Sequence, residues 1–445
     1  MRDRFLWIGT IVYAACFFIL GVWKYTVHRN FVDFGIFLQT TASAFGCFCN
    51  AVEGSHYAYH NSPILLLPGA LLLVWHSPYA LIALQAIACA LVAPPIAALV
   101  EARTNRNTAR LVALLVWLNP ALAGLAFVDF HENVFAPVAI VWMIWCFDAG
   151  RLRWAFVCAL VAMAVKEDQA LFVAITCAFV AWRFRRTNAG RYGLIGAIIG
   201  LNVALQFFRS TQPHMAAHMH WQPTRFYAWT GADLHSLLTY GLLERLGFIV
   251  LVFAPLAFVA FRSAMLWLAA APLAEVLLSR MPTTYTLGTH YAGAWIGYVL
   301  VAFAFAFRRL SEGQRTLALR VAIAASILEF LVANPLHPGL TLRPYQNRDA
   351  HLDTFLATLP ARYPVASQEE AYTHLALNDP YATVLPDNPS TTLAVCHVLV
   401  DYDFPHSPRL VEYGSTLDGM RKAKRLHIVR HDGAISLYSC SISGR

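Results

Sequence analysis

Long apolar runs recur along the chain, divided by short polar connections. They fall at 5–23, 79–100, 111–128, 133–148, 154–166, 169–183, 193–208, 246–262, 264–279, 290–307 and 316–333. About 20 apolar residues suffice to cross a bilayer as a helix, so the pattern predicts about eleven transmembrane helices. The stretch 63–75 is as apolar but only about 13 residues long, which predicts a re-entrant or interfacial segment. Two interruptions are unlike ordinary turns. Asp129-Phe130-His131-Glu132 divides 111–128 from 133–147, and Lys166-Glu167-Asp168 divides 154–165 from 169–182. Ionisable groups at membrane depth are costly unless paired or wet, and so mark candidate sites.

Other stretches break the pattern at greater length. Residues 24–61 are polar and aromatic, with Lys24, His28, Arg29, Asp33, Gln39, Glu53, His56 and His60. Within them Phe34 to Phe48 is amphipathic and predicts a helix resting on the membrane surface. From about 335 the composition becomes that of a soluble domain. Residues 351–359 have helical spacing, 393–400 form a buried-strand pattern, and 425–442 predict a hairpin turning at Asp432-Gly433. The expected protein is an α-helical polytopic membrane protein, with a transmembrane part at 1–334 and a small α/β domain at 335–445.

Composition agrees. Hydrophobic residues make up 58% and charged residues 13%, with a mean hydropathy of +0.52, against about 25% charged in soluble domains. The net charge of +8 needs no nucleic acid to explain it, because basic residues gather in cytoplasmic loops. If 63–75 does not cross, the basic connections all share one side: 101–110, 149–153, 183–192, Arg262 and 308–315. That side is then cytoplasmic together with the N-terminus. The outer face receives 24–61, both charged interruptions, the 209–245 loop, the 280–290 loop and the C-terminal domain. Phe5 to Trp23 follows Met-Arg-Asp-Arg with no small-residue cleavage site, which predicts a retained first span. A bacterial cytoplasmic membrane is the expected location. No nucleotide-binding glycine motif is present. Of the nine cysteines, Cys16, Cys89, Cys146, Cys158 and Cys177 fall in spans as packing residues. Cys47, Cys49, Cys396 and Cys440 lie outside them, and the last two are candidates for a disulfide.

The candidate chemistry gathers on the outer face. Asp33 is either a general base of raised pKa or the N-cap of a helix starting at Phe34. Asp129, His131 and Glu132 offer ligands for a divalent metal such as Mg or Mn, or a phosphate contact; the alternative is a turn bathed in water. Lys166 fits a counter-charge to phosphate and Asp168 or Glu167 a base or ligand, against a neutralised pair capping two helices. His60, opening the short apolar segment, and His290-Tyr291, opening the 290–307 run, would share the same cavity as substrate contacts. His214, His218 and His220 are weakly metal-like in spacing and fit a flexible loop better.

These residues carry a resemblance. Asp33 to Gln39 (DFGIFLQ), His60 to Pro63 (HNSP), Asn119-Pro120 with Asp129 to Glu132 (DFHE), Lys166 to Asp168 (KED), His374-Leu375 and the stretch from Asp401 resemble a prokaryotic family of predicted membrane proteins grouped with the GT-C membrane glycosyltransferases. The resemblance implies a GT-C-like fold and an inverting transfer from a polyprenyl-phosphate-linked sugar to an extracytoplasmic glycan, lipid or protein acceptor. It maps Asp33 onto the carboxylate of the first outer loop and Asp129 onto a second acidic site. His131-Glu132 after that aspartate departs from many GT-C members. A lipid or solute transporter or scramblase is the competing class, and a non-catalytic cell-envelope scaffold the third. Odd span number and absence of an inverted repeat count against transport.

Overall fold

The computed structural model describes residues 3–211, 235, 236, 239, 241–336 and 343–440. The loop histidines 214, 218 and 220 lie outside them. Helix α1 (Arg4–Thr26) is capped by Asp3, whose carboxylate accepts from Phe5 N and pairs with Arg110. Helix α2 (Val32–Ala42) follows, then a two-residue hairpin, β1 (Cys49–Asn50) with β2 (Gly54–Ser55). The short apolar segment forms a 3₁₀ turn at Pro63–Leu65 and helix α3 (Leu66–Val74).

The bundle continues through α4 (Tyr79–Ala90), α5 (Ala93–Glu101), α6 (Arg106–Trp117), α7 (Pro120–Phe127), α8 (Phe135–Asp148), α9 (Leu152–Met163), α10 (Glu167–Arg183) and α11 (Asn188–Gln206). After residue 241 come α12 (Leu242–Phe253), α13 (Ala270–Leu277), α14 (Ala292–Phe307) and α15 (Glu312–Val332). Helix α14 is apolar on every side, and all its residues but Phe305 are buried. A helix without a polar face belongs at the centre of a bundle.

Among the described residues three helices are long and apolar enough to span a membrane: Arg4–Thr26, Tyr79–Glu101 and Asn188–Arg209. The pair α6 and α7, bent by 51°, would make a fourth. The eleven expected runs are therefore not eleven unbroken helices. The α6–α7 break has a local cause. Pro120 lacks the N–H that would continue the ladder and disfavours helix at the residue before it. Asn119 turns extended there and caps α7 by accepting from Leu122 N at 3.2 Å.

The C-terminal part contains α16 (Asn347–Ala357), β3 (Val365–Ser367), α17 (Glu369–Leu375), β4 (Thr383–Val384), β5 (His397–Asp401), α18 (Pro408–Lys422), β6 (Leu426–Asp432) and β7 (Ile435–Cys440). Its five-stranded sheet runs β4-β3-β5-β7-β6, with β3 parallel to β4 and β5, and β7 antiparallel to β5 and β6. Gly433 takes φ +58 in the β6–β7 turn, a conformation favourable only without a Cβ.

Two expectations are corrected here. The amphipathic run is not a helix lying on the membrane surface. Its helix ends at Ala42, and Phe34 to Thr41 are all buried, because α17 covers it. Gly35 admits the Tyr372 ring, leaving no room for a Cβ. Gln39 then donates to the carbonyls of Asp379 and Ala382, both at 2.8 Å, and accepts from Ala51 N and Tyr372 Oη. Among the cysteines, Cys47 and Cys49 are the bonded pair, while Cys396 and Cys440 keep free thiols across β5 and β7.

Candidate functional site

The site is built where α1, α2, α8, α10 and α14 bring their ends together. Helix α1 stops in a Schellman turn: Arg29 N donates to Lys24 O and His28 N to Tyr25 O. Lys24, in the last turn of α1, is buried with its ammonium 2.5 Å from Asp129 Oδ1. Asp129 also accepts from Asn30 Nδ2 at 2.8 Å and Phe31 N at 2.5 Å. It thus joins the end of α1, the start of α2 and the loop after α7.

Those partners correct two readings of the acidic loop. Asp129 is a neutralised structural carboxylate, its charge met by Lys24. It does not share a ligand set with His131 and Glu132, since the only three-residue group of suitable geometry among the described residues lies elsewhere. A metal held by Asp129, His131 and Glu132 together does not fit. The loop is not bathed in water either, for all three side chains are buried.

His131 and Glu132 face the other way. Glu132 is fully buried, with His131 Nδ1 at 2.9 Å, Ser62 Oγ at 3.5 Å and Lys166 Nζ at 3.9 Å. Burial opposes its charge, but His131, Lys166 and His60 outweigh that and hold the carboxyl well below the usual range. Glu167 is occupied on both oxygens, by His60 Nδ1 and by Asn61 N, each at 2.9 Å. This clamps the entry of the short apolar segment onto the start of α10. Lys166 precedes α10, Glu167 and Asp168 sit in its first turn, where helix amides favour negative charge, and all three carboxylates of Glu132, Glu167 and Asp168 act on the Lys166 ammonium.

Helix α14 supplies the last pair. Gly293 packs against the backbone of Asn133 so closely that a Cβ would strike its carbonyl oxygen. That approach stacks His290 on His131, with ring centroids 3.8 Å apart and planes 7° apart, and sets Tyr291 against His290. His290 Nδ1 lies 4.0 Å from Asp33 Oδ2.

Asp33 completes the group. It is not the N-cap of α2: Phe31 holds that position, and Asp33 lies in the first turn with no capping bond. Its side chain is 44% exposed. The surrounding protein, then the negative charges of Asp129, Glu53 and Glu132, push its pKa from 3.8 up to about 7. A carboxylate that is open to a partner, holds no fixed hydrogen bond and titrates near neutrality is equipped to accept a proton.

The structure therefore connects Asp33, His290, Tyr291, His131, Glu132, Lys166, Asp168, Glu167 and His60 in one chain of contacts, and sets Asp129 behind it. In the sequence Lys24 shows only as a charge at the end of a span and Ser62 only as part of the HNSP stretch, and Asn30 carries no signal of its own. Gln169, buried beside Asp168 with both amide atoms unpaired, carried none.

Residues 28–359 match a family described as predicted membrane protein (DUF2079). No curated protein matches the sequence. Among solved structures the chain is similar to ArnT from Cupriavidus metallidurans bound to undecaprenyl phosphate, with a TM-score of 0.56 and 11% identity over 99% of each chain. The apo form of that protein gives a TM-score of 0.56 and 12% identity over 97% of each chain. An Archaeoglobus fulgidus oligosaccharyltransferase complex with zinc and sulfate gives a TM-score of 0.44 and 12% identity, over 98% of this chain and 73% of that one. At such identities the likeness is one of fold alone, shared with ArnT over nearly the whole of both chains.

Proposed function

The chain belongs to the predicted membrane protein family DUF2079, and from that premise we propose that it is a GT-C-type glycosyltransferase. Its donor is a sugar on polyprenyl phosphate and its acceptor an extracytoplasmic hydroxyl. Residues 1–334 form the transmembrane part, with the N-terminus cytoplasmic, and 335–445 a domain on the outer face. The observation that carries the reading is Asp33: half-open, unbonded, pushed up to about 7, and set beside the His290–His131–Glu132–Lys166 chain on a fold shared over 99% of its length with a protein solved with undecaprenyl phosphate.

The chemistry assigned to these groups is a single displacement. The acceptor oxygen bonds to the anomeric carbon as that carbon's bond to the phosphate oxygen breaks. Asp33 takes the acceptor proton, and the electron pair leaves on the polyprenyl phosphate. Lys166, with the histidines around it, meets the developing negative charge. One such displacement inverts the anomeric centre. Asp168 lies within reach of Lys166 as its counter-charge, and His60 with Glu167 holds the entry of the short apolar segment. No step passes through a metal at Asp129.

The test is to compare transfer of a labelled sugar with polyprenyl-phosphate binding in purified variants. Asp33→Asn should lower turnover by roughly 10²–10⁴-fold, the usual scale for a general base, with donor binding kept. Lys166→Met should weaken binding of the lipid phosphate as well as rate. Normal transfer by Asp33→Asn would remove Asp33 as the base, and unchanged lipid binding by Lys166→Met would make the charge cluster structural.

A further inference from the structure

A second cluster lies behind the first, and it uses residues that the proposed transfer does not. His28 follows α1, Asp353 is on α16 and His374 is on α17. One ligand atom from each lies within 4.8 Å of the others. His28 Nε2 is 3.1 Å and His374 Nδ1 3.7 Å from the same oxygen, Asp353 Oδ1.

The far edges of both rings are already committed. His28 Nδ1 is 3.1 Å from Glu370 O, and His374 Nε2 is 3.0 Å from Tyr25 O. A carbonyl accepts only, so each of those nitrogens carries the hydrogen. In the neutral imidazoles the inner nitrogens are then bare lone pairs, both facing a carboxylate oxygen. Three electron-rich atoms set this close repel one another unless a proton or a metal cation lies among them. His28 is 2% exposed, and its Nε2 finds no hydrogen-bond acceptor in line with it. The two rings stack with centroids 3.9 Å apart and planes 24° apart, which brings both inner nitrogens to the one carboxylate oxygen.

The backbone points the same way. His28 occupies the left-handed position of the Schellman turn, φ +53, where glycine is the favoured residue. An imidazole held there carries a conformational cost that its side-chain contacts offset.

The geometry points to a divalent transition-metal site, with zinc the fitting ion, held by His28 Nε2, His374 Nδ1 and Asp353 Oδ1. Imidazole nitrogen and carboxylate oxygen suit zinc at about 2.0–2.2 Å, which places tetrahedral ligand atoms about 3.4 Å apart. The observed 3.1 and 3.7 Å bracket that spacing. The carbonyls of Glu370 and Tyr25 orient the rings, and Tyr345 Oη donates to Asp353 Oδ2 at 2.6 Å, the kind of outer support that metal ligands keep. Asp353 is 40% exposed on its side chain, which leaves a side open for a water as fourth ligand. Arg343, the nearby charge that would oppose a cation, is bound by both oxygens of Asp349.

Such an ion ties the C-terminal domain to the turn between α1 and α2. Two residues beyond His28, Asn30 and then Phe31 hold Asp129, so the tie also braces the start of the helix that carries Asp33. The site is separate from the transfer chemistry, and its test does not depend on activity.

The full-length protein, purified without a histidine tag, is stripped with a chelator, reloaded in buffered zinc and analysed for bound metal. One zinc per chain is expected, with a higher melting temperature. X-ray absorption at the zinc edge should show nitrogen and oxygen neighbours, including two imidazoles, and no sulfur. Asp353→Asn and His374→Gln should weaken zinc affinity by on the order of 100-fold or more, and Tyr345→Phe by about tenfold. Each variant is checked by gel filtration, and if a ligand variant does not fold the absorption spectrum of the wild type decides. A wild type that takes up no stoichiometric zinc overturns the site. So does a spectrum with sulfur or without imidazole, or folded ligand variants that bind zinc as tightly as wild type.

Discussion

Asp33 and Asp129 share a charge type and a neighbourhood but meet opposite fates. Asp129 has three donors, one of them the Lys24 ammonium. Removing one partner of a buried pair strands the other charge, at a cost of about 3–5 kcal/mol. Asp129→Ala should therefore unfold at clearly lower denaturant or temperature, whereas Asp33→Asn should not; equal stability of Asp129→Ala and wild type would return Asp129 to the list of free acids. Asp33 has no hydrogen-bond donor among the described residues, and its pKa of about 7 against 3.8 gives a signed expectation. The native state holds that proton more tightly than the unfolded chain. Its stabilising contribution is thus full below about pH 4, and is lost as pH rises toward 7. Turnover moves the other way: the base must be ionised, so rate should climb with a midpoint near pH 7, and a profile flat from pH 5 to 8 would argue against Asp33 as the base. The sequence displayed both aspartates but not this difference. It depends on Lys24, 105 positions before Asp129, and on the burial and carboxylates gathered around Asp33.

At the scale of elements, apolar periodicity located the apolar runs of the bundle but neither α17 nor α18 of the C-terminal part, and Asp432-Gly433 located the β6–β7 turn. What it missed was cover. Helix α2 has a polar side in sequence, including Gln39 and Thr40, and solvent or headgroups are the natural partners until another element is known. The actual partner is α17 with the loop after it, more than 300 residues later: the carbonyls of Asp379 and Ala382 and the Tyr372 hydroxyl satisfy Gln39, and Tyr372 lies on Gly35. The α6–α7 bend falls inside the single apolar run 111–128, where Asn119-Pro120 is a weak signal. The approach of α14 to residue 133 is testable by a single methyl group. Gly293→Ala places a Cβ against a backbone carbonyl, which cannot swing aside as a side chain would, and overpacking of this kind costs about 1–3 kcal/mol. Gly313→Ala in the first turn of α15 meets nothing within 4 Å and should be neutral or stabilising. Gly293→Ala should also part His290 from His131 and depress transfer beyond its effect on melting. If both variants melt alike and transfer alike, the close approach does not position the histidines.

At the scale of the molecule, the question is how charge is sorted between two ends of the bundle. The start of α8 carries His131 and Glu132 just before it, the start of α10 carries Glu167 and Asp168, and the start of α14 follows His290. The same three helices end at Asp148, Arg183 and Phe307, and Arg308 there pairs with Asp148 at 3.1 Å and donates to Leu99 O. The acidic and imidazole-rich end is therefore separated from the arginine-rich end by the length of α14, about 24 Å at 1.5 Å per residue. Basic loops favour the cytoplasmic side, so the candidate site, α2 and the C-terminal domain packed on it should all lie outside. This end-to-end sorting was legible in the sequence, because it needs only the order of basic and acidic connections. The crossing number was harder to read, since helices as short as α7 or α13 do not reveal whether they pass through. Single cysteines at Ala102 and Ala361, both exposed, in a background freed of native cysteines, separate the alternatives. A membrane-impermeant thiol reagent applied to intact cells with an opened outer envelope should label Ala361→Cys and spare Ala102→Cys until the cell membrane is permeabilised. The reverse pattern would place Asp33 on the cytoplasmic side, where no outer-leaflet sugar donor reaches it, and the transferase reading would fall with it.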